Sequence, residues 1–314
     1  MGIEQWTQDL NILRSCDTLF AQMPRSSHTN RSHSSTLLGT SSFSARDSSR
    51  VKQNMWDLDA VLPLDYAIPP HHLELAPHEV HTNFCNLLSR DVYSEGDARS
   101  LYDYIQSRSD EMSPEFLAML DLWLADELKH YEALRRTYHC IAGVDFADMN
   151  RHFAARVHEI EPIEMVLTDE FTILVTMMFD EIGSVYSYRR DLWEYYRHFG
   201  TAIQKIGHHL IRDEGMHFNN AAELLLAKYP HRLCEVPELL ERISVLEKSL
   251  KKYHKTFFLD HTQEQYRFPP HFNSVLIRFI LARLGLGIQP DRSELQELWQ
   301  WVPNGYHLVP IFAL

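Results

Sequence analysis

Cysteine is scarce in this chain of 314 residues: Cys16, Cys85, Cys140 and Cys234 are scattered, with no Cys-x-x-Cys pair and no disulfide-dense spacing. A disulfide-stapled scaffold is excluded, and a reducing, intracellular compartment is expected. Positive charge is also short. The chain has 30 Lys and Arg against 43 Asp and Glu, a formal net charge of −13. No basic domain stands out to neutralise phosphates, which argues against nucleic acid as a partner. Long apolar runs are missing: FTILV at 171–175 is too short, and VLIRFILARLGLG at 275–287 too interrupted, to span a bilayer. Glu4 and Asp9 suit neither a signal peptide nor an acid-poor transit peptide. Alternating β-branched residues are almost absent, so no sheet is expected. Together these absences predict a soluble, cytoplasmic, all-α protein.

The apolar fraction of 45%, with 11% aromatic, is enough for a sizeable core. Residues 1–55 divide into an amphipathic stretch through Ile3, Trp6, Leu10, Leu13 and Phe20 and a serine-rich segment, with ten serines between 26 and 49. That segment buries little and is expected to stay flexible, so deleting it is expected to leave stability unchanged. Residues 56–78 are punctuated by proline and are expected to form an extended strap. From 79 the pattern turns helical. Apolar stripes run through Val80, Phe84, Leu88, Val92 and Ala98, through Phe116, Leu120, Trp123 and Leu134, through Phe171, Leu174, Met178 and Val185, and through Ile203, Ile206, Leu210 and Ala221. Ser113-Pro114 supplies an N-cap and a first-turn proline. A four-helix bundle over 79–229 is expected, followed at 230–314 by helices near 237–256, 272–285 and 292–301.

Two short phrases within the bundle, ADELKH at 125–130 and RDEGMH at 212–217, each place a His three residues after a Glu. Random placement of 23 Glu and 19 His yields about one or two such pairs, so spacing alone carries little weight. Position decides the matter. Each stripe has a polar interruption at its middle: Glu95 in the first, Glu127 and His130 in the second, Glu181 in the third, Glu214 and His217 in the fourth. Burying unpaired carboxylates is prohibitive, whereas four negative charges offset a pair of divalent metal ions. Glu-x-x-His also sets both groups on one helical face, a turn apart. Glu95 precedes Glu127 by 32 residues and Glu181 precedes Glu214 by 33, as a duplicated helical hairpin requires. The first position has alternatives in Asp91 and Asp97.

This ligand pattern resembles the ferritin-like di-iron carboxylate superfamily over residues 79–229. SEGDA around Glu95, FDEIGS around Glu181 and RDEGMH look most like the soluble acyl-carrier-protein desaturases. The whole chain, with its long lead-in, is similar in plan to arylamine N-oxygenases and dimetal-carboxylate halogenases. The resemblance implies two iron ions, or a manganese–iron pair. Glu127 and Glu214 would bridge the metals, Glu95 and Glu181 would be terminal, and His130 and His217 would each give one nitrogen. Asp126 and Asp213 would each hold a ligand histidine of the opposite half, and Ser184 matches a small hydroxyl near the oxygen site, or is an ordinary helix serine. An extra histidine ligand falls at Leu210 rather than at His208 or His209, and the position of a radical tyrosine falls at Leu134. The implied activity is an O2-dependent oxygenase or oxidase acting on a small organic or acyl-carrier-bound substrate; a halogenase and an iron-binding protein without catalysis are the alternatives. An electron donor such as a ferredoxin and a homodimer are compatible with it. Lys248, Lys251, Lys252 and Lys255 form either a dock for an acidic carrier or a solvated helix face.

Overall fold

Four long helices carry the four stripes, two of them capped by side chains that the sequence places there. In a computed structural model describing residues 51–250, 254–259 and 268–300, these are α3 (His78–Gln106), α4 (Pro114–Ala142), α6 (Glu170–Glu194) and α7 (Thr201–Lys228). Among the described residues two short helices precede them, α1 (Leu58–Val61) and α2 (Pro70–Leu75); α5 (Phe146–Ala154) lies between the hairpins, and α8 (Val236–Ser249), α9 (Phe272–Arg283) and α10 (Arg292–Gln300) follow. No strand occurs among the described residues, so the class is all-α. Ser113 caps α4 by accepting from the Phe116 amide at 3.3 Å, with Pro114 at the first helical position. The helix stops at Gly143, whose φ of +68° takes the left-handed conformation that a side chain resists. Asp169 caps α6 through the Thr172 amide at 2.7 Å.

The bundle is two helical hairpins, α3 with α4 and α6 with α7, and α4 also meets α7. That matches the repeat spacing of the sequence. Helix α6 is the most enclosed, with all but four of its 25 residues buried. Its sequence reads as a single stripe, but α8, α9 and α10 cover the face that a bare bundle would leave wet.

The segment expected as an extended strap contains α1 and α2, because Asp57 caps one by accepting from the Asp59 amide at 2.9 Å and Pro70 starts the other. Residues 51–55, assigned by composition to the flexible lead-in, lie on the bundle: the Lys52 backbone exchanges two hydrogen bonds with the Asn220 amide side chain, at 2.9 and 2.8 Å. The amphipathic and serine-rich stretches fall outside the described residues. The expected helix over 237–256 ends at Ser249. No helix among the described residues is long and apolar enough to cross a membrane.

Candidate metal centre

Glu95 is on α3, Glu127 and His130 on α4, Glu181 on α6, and Glu214 and His217 on α7. They meet in the middle of the bundle with exposures between 0 and 7%. Their donor atoms form two overlapping groups, Glu95–Glu127–His130–Glu214 and Glu127–Glu181–Glu214–His217, each with its atoms within 4.8 Å of one another. Glu127 and Glu214 belong to both.

The geometry around the two histidines explains the overlap. His130 Nδ1 lies 3.3 Å from Glu127 Oε2 and 3.3 Å from Glu214 Oε1. His217 Nδ1 lies 3.0 Å from Glu127 Oε1 and 3.4 Å from Glu214 Oε2. Each of these two carboxylates therefore presents one oxygen to either histidine, as a bridging group does. Glu95 Oε2 stands 3.7 Å from His130 Nδ1, and Glu181 Oε2 stands 3.3 Å from His217 Nδ1, one at each end.

The outward nitrogens are held across the bundle. His130 Nε2 is 3.1 Å from Asp213 Oδ2, and His217 Nε2 is 3.4 Å from Asp126 Oδ2. Such a carboxylate orients the ring and leaves the inner nitrogen as a donor for a metal. Ser184 is half-buried on α6 and belongs to neither group, and His208 and His209 also lie outside both. Asp97 is held by Arg156 and by His158 Nε2 at 2.8 Å, which makes it a pin for the loop after α5. Asp91 lies deep in α3 beside Asp191 and Arg190, outside both groups.

Five contacts have no signal in the spacing of the carboxylates. The Trp123 indole N–H donates to Glu181 Oε1 at 2.8 Å, and the Tyr188 hydroxyl donates to Glu95 Oε1. Both rings count as core residues in an apolar pattern, yet each has a polar tip that must find a partner when buried. From the start of the strap Trp56 Nε1 donates to Asp213 Oδ2 at 2.7 Å, and from the residues just before it Gln53 Nε2 donates to Asp126 Oδ1 at 3.1 Å. Lys129 donates to Asp126 Oδ1 at 2.7 Å. The Trp56 ring stacks on His209, centroids 4.4 Å apart and 9° from parallel.

So many acids in a dry place perturb one another. Burial raises the Glu127 pKa to about 7, and burial together with the charge of Glu214 holds Glu181 well above the usual carboxylate range. Burial pulls His130 and His217 down, but the carboxylates facing them outweigh it and raise both. Glu95 goes the other way: burial is offset by the facing His130 and by the hydrogen bond from Tyr188, and its pKa is lowered. Glu95 Oε2, both Glu127 oxygens and His130 Nδ1 are buried without a sound hydrogen-bond partner. Native interiors rarely leave such atoms unmatched. Hard carboxylate oxygens with imidazole nitrogens suit a pair of divalent first-row ions, and the residues present fit that group.

A narrow recess touches the site at His217, between Met119, Leu122, Trp123 and Met177, with Lys52 and Asn220 also against it. Its volume is about 10 Å³, room for one water. No family model matches the chain, and no curated protein matches it either.

Proposed function

We propose that the chain is an O2-activating, non-haem di-iron oxidoreductase of ferritin-like plan, acting on a small organic or acyl-carrier-bound substrate by N-oxygenation, hydroxylation or desaturation. The observation that carries the reading is the doubled ligand set, in which Glu127 and Glu214 each offer one oxygen to either histidine. Bound there, a pair of iron ions would supply two-electron reduction of dioxygen, because anionic oxygen donors favour the oxidised metals. Everything else is work for the chain. Asp213 and Asp126 fix the imidazoles, and Trp123 and Tyr188 restrain the terminal carboxylates. Met177 and Trp123 give the recess beside His217 apolar walls, while Phe171, Leu174 and Met178 are buried core of the same helix as Met177. The half-buried Trp56 connects through Asp213 to His130, and an electron donor such as a ferredoxin would come nearest the metals there.

Metal analysis of the purified protein is expected to give two ions per chain, with His217→Ala or Glu127→Ala losing most of them. Two-metal occupancy that survives removal of both histidines would sink the assignment. Mixing the anaerobic ferrous form with O2 is expected to give a transient visible absorption whose decay quickens with the right organic substrate. Mineralisation of many irons per chain, with no response to any organic compound, would make the protein a store instead.

A further inference from the structure

Non-glycine residues rarely adopt φ near +60°, because Cβ then crowds the backbone carbonyl. Three do so within five positions: Lys255 at +60°, Phe257 at +68° and Leu259 at +65°. The stretch, KTFFL at 255–259, contains no glycine to absorb the cost. Strain of this kind persists only where the surroundings over-determine it, and it gathers at functional sites.

Here the surroundings can be named. At one end His254 Nδ1 lies 2.6 Å from Glu159 Oε2, and the Glu159 amide donates to the His254 carbonyl at 3.2 Å. At the other end the Leu259 amide donates to Asp180 Oδ1 at 2.7 Å, and Asp180 is the residue before Glu181. Between these clamps Phe258 and Leu259 are fully buried, whereas Phe257 is half-buried, with solvent on one side. Its other side meets the edge of Trp123, centroids 5.2 Å apart at 86°. Trp123 in turn holds Glu181 by its indole N–H. One aromatic ring therefore separates Phe257 from a carboxylate of the cluster.

We propose that segment 254–259 is a gate over the Glu181 side of the site, and that Phe257 sets the size of molecule that passes. The recess that Trp123 walls beside His217 holds about one water, so as it stands it excludes an organic molecule. Outward movement of Phe257 relaxes the three strained residues and leaves a ring-sized, apolar space against Trp123. Met119 and Met177, which line the recess, are flexible enough to follow. The opened space fits a flat or narrow apolar group, such as an aromatic ring, delivered towards Glu181. The destination rests on the metal-pair reading; the movement does not.

Hydrogen exchange of the metal-free, full-length protein, read by mass spectrometry, tests the movement alone. The Leu259 amide is expected to exchange at least about ten-fold faster than amides in the middle of α6, and Phe257→Ala to quicken it about ten-fold more with α6 unchanged. Exchange as slow as in α6, or indifferent to Phe257→Ala, overturns the gate. With ferric iron loaded, azide and benzoate probe the size limit through visible charge-transfer absorption. Phe257→Ala is expected to speed benzoate binding roughly ten-fold and to leave azide nearly as it was, while Phe257→Trp slows benzoate. Benzoate rates unaltered in both variants at full metal content overturn the gate and leave the metal site standing. Absence of metal from every protein removes the destination, and the exchange data still decide the movement.

Discussion

Trp56 illustrates how much one side chain contributes when its polar tip reaches a buried acid. Burial would raise Asp213, but His130 and Trp56 outweigh it and hold its pKa below the usual carboxylate range. Trp56→Phe keeps a ring for His209 to stack on and removes one of the two donors to Asp213 Oδ2, leaving a carboxylate whose Oδ1 already lacks a partner hydrogen-bonded by His130 alone. The expected loss is about 1–3 kcal/mol in metal-free protein, measured by urea unfolding. Asp126 provides a pH test at the same scale. Burial would raise its pKa, but hydrogen bonds from His217 and Lys129 bring it to about 2, against an ordinary value of 3.8. The stability this adds is present above 3.8 and is lost as pH falls through about 2. Asp126→Asn is expected to flatten the acid limb of the stability profile over that window, as read by thermal melts.

Among the elements, α3 is the one whose fit depends on a missing side chain. Gly96 follows Glu95, and a Cβ there would come within 2.5 Å of the Phe153 ring on α5. That ring is itself packed on Tyr93 and Tyr131, so it has little room to retreat. Gly96→Ala is expected to cost about 1–3 kcal/mol in denaturant unfolding despite the better helix propensity of alanine. Because α3 must shift to relieve the clash, the metal position beside Glu95 is expected to weaken more than the one beside Glu181, which a stepwise metal titration would resolve. Residues 51–56, leading into the strap, show the reverse dependence. Their contacts are polar and scattered in sequence, and they become cohesive only against Asn220, Asp126, His209 and Asp213.

At the scale of the molecule, the raised carboxyls and histidines of the central cluster make the metal-free chain base-sensitive. A carboxyl whose folded pKa is raised keeps a proton that the unfolded chain has already released. Stability therefore falls as pH rises from 4.5 to about 7 through Glu127, and Glu181 adds in the same direction. The raised histidines continue the trend, since the stability they contribute is present below 6.5 and lost as pH climbs through their folded values. Calorimetry of metal-free protein is expected to give a lower melting temperature at about pH 8 than at about pH 5. Two divalent ions replace those protons, so the decline should vanish on loading. A free metal concentration about 1,000-fold over Kd is expected to add about 4 kcal/mol.

The helical class, the four stripes, the hairpin repeat and the six polar interruptions were all legible in the sequence, because helical periodicity ties spacing to a shared face and burial forbids a lone carboxylate in an apolar stripe. Glu-x-x-His pairs are local, so their side chains are brought together by one turn of helix before any tertiary contact forms. Partners distant in sequence were not legible from periodicity, and only the family resemblance paired Asp126 and Asp213 with the histidines of the opposite half. Trp56 lies 157 positions from Asp213, and Tyr188 lies 93 from Glu95. No periodicity links residues on different elements, and aromatic rings in a stripe look the same whether or not their polar tips find an acid. Burial on every side of α6 was also hidden, since its outer face depends on where α8, α9 and α10 pack. The strained backbone at 255–259 was hidden most deeply, because only clamps at Glu159 and Asp180 hold non-glycine residues in a conformation their own sequence resists.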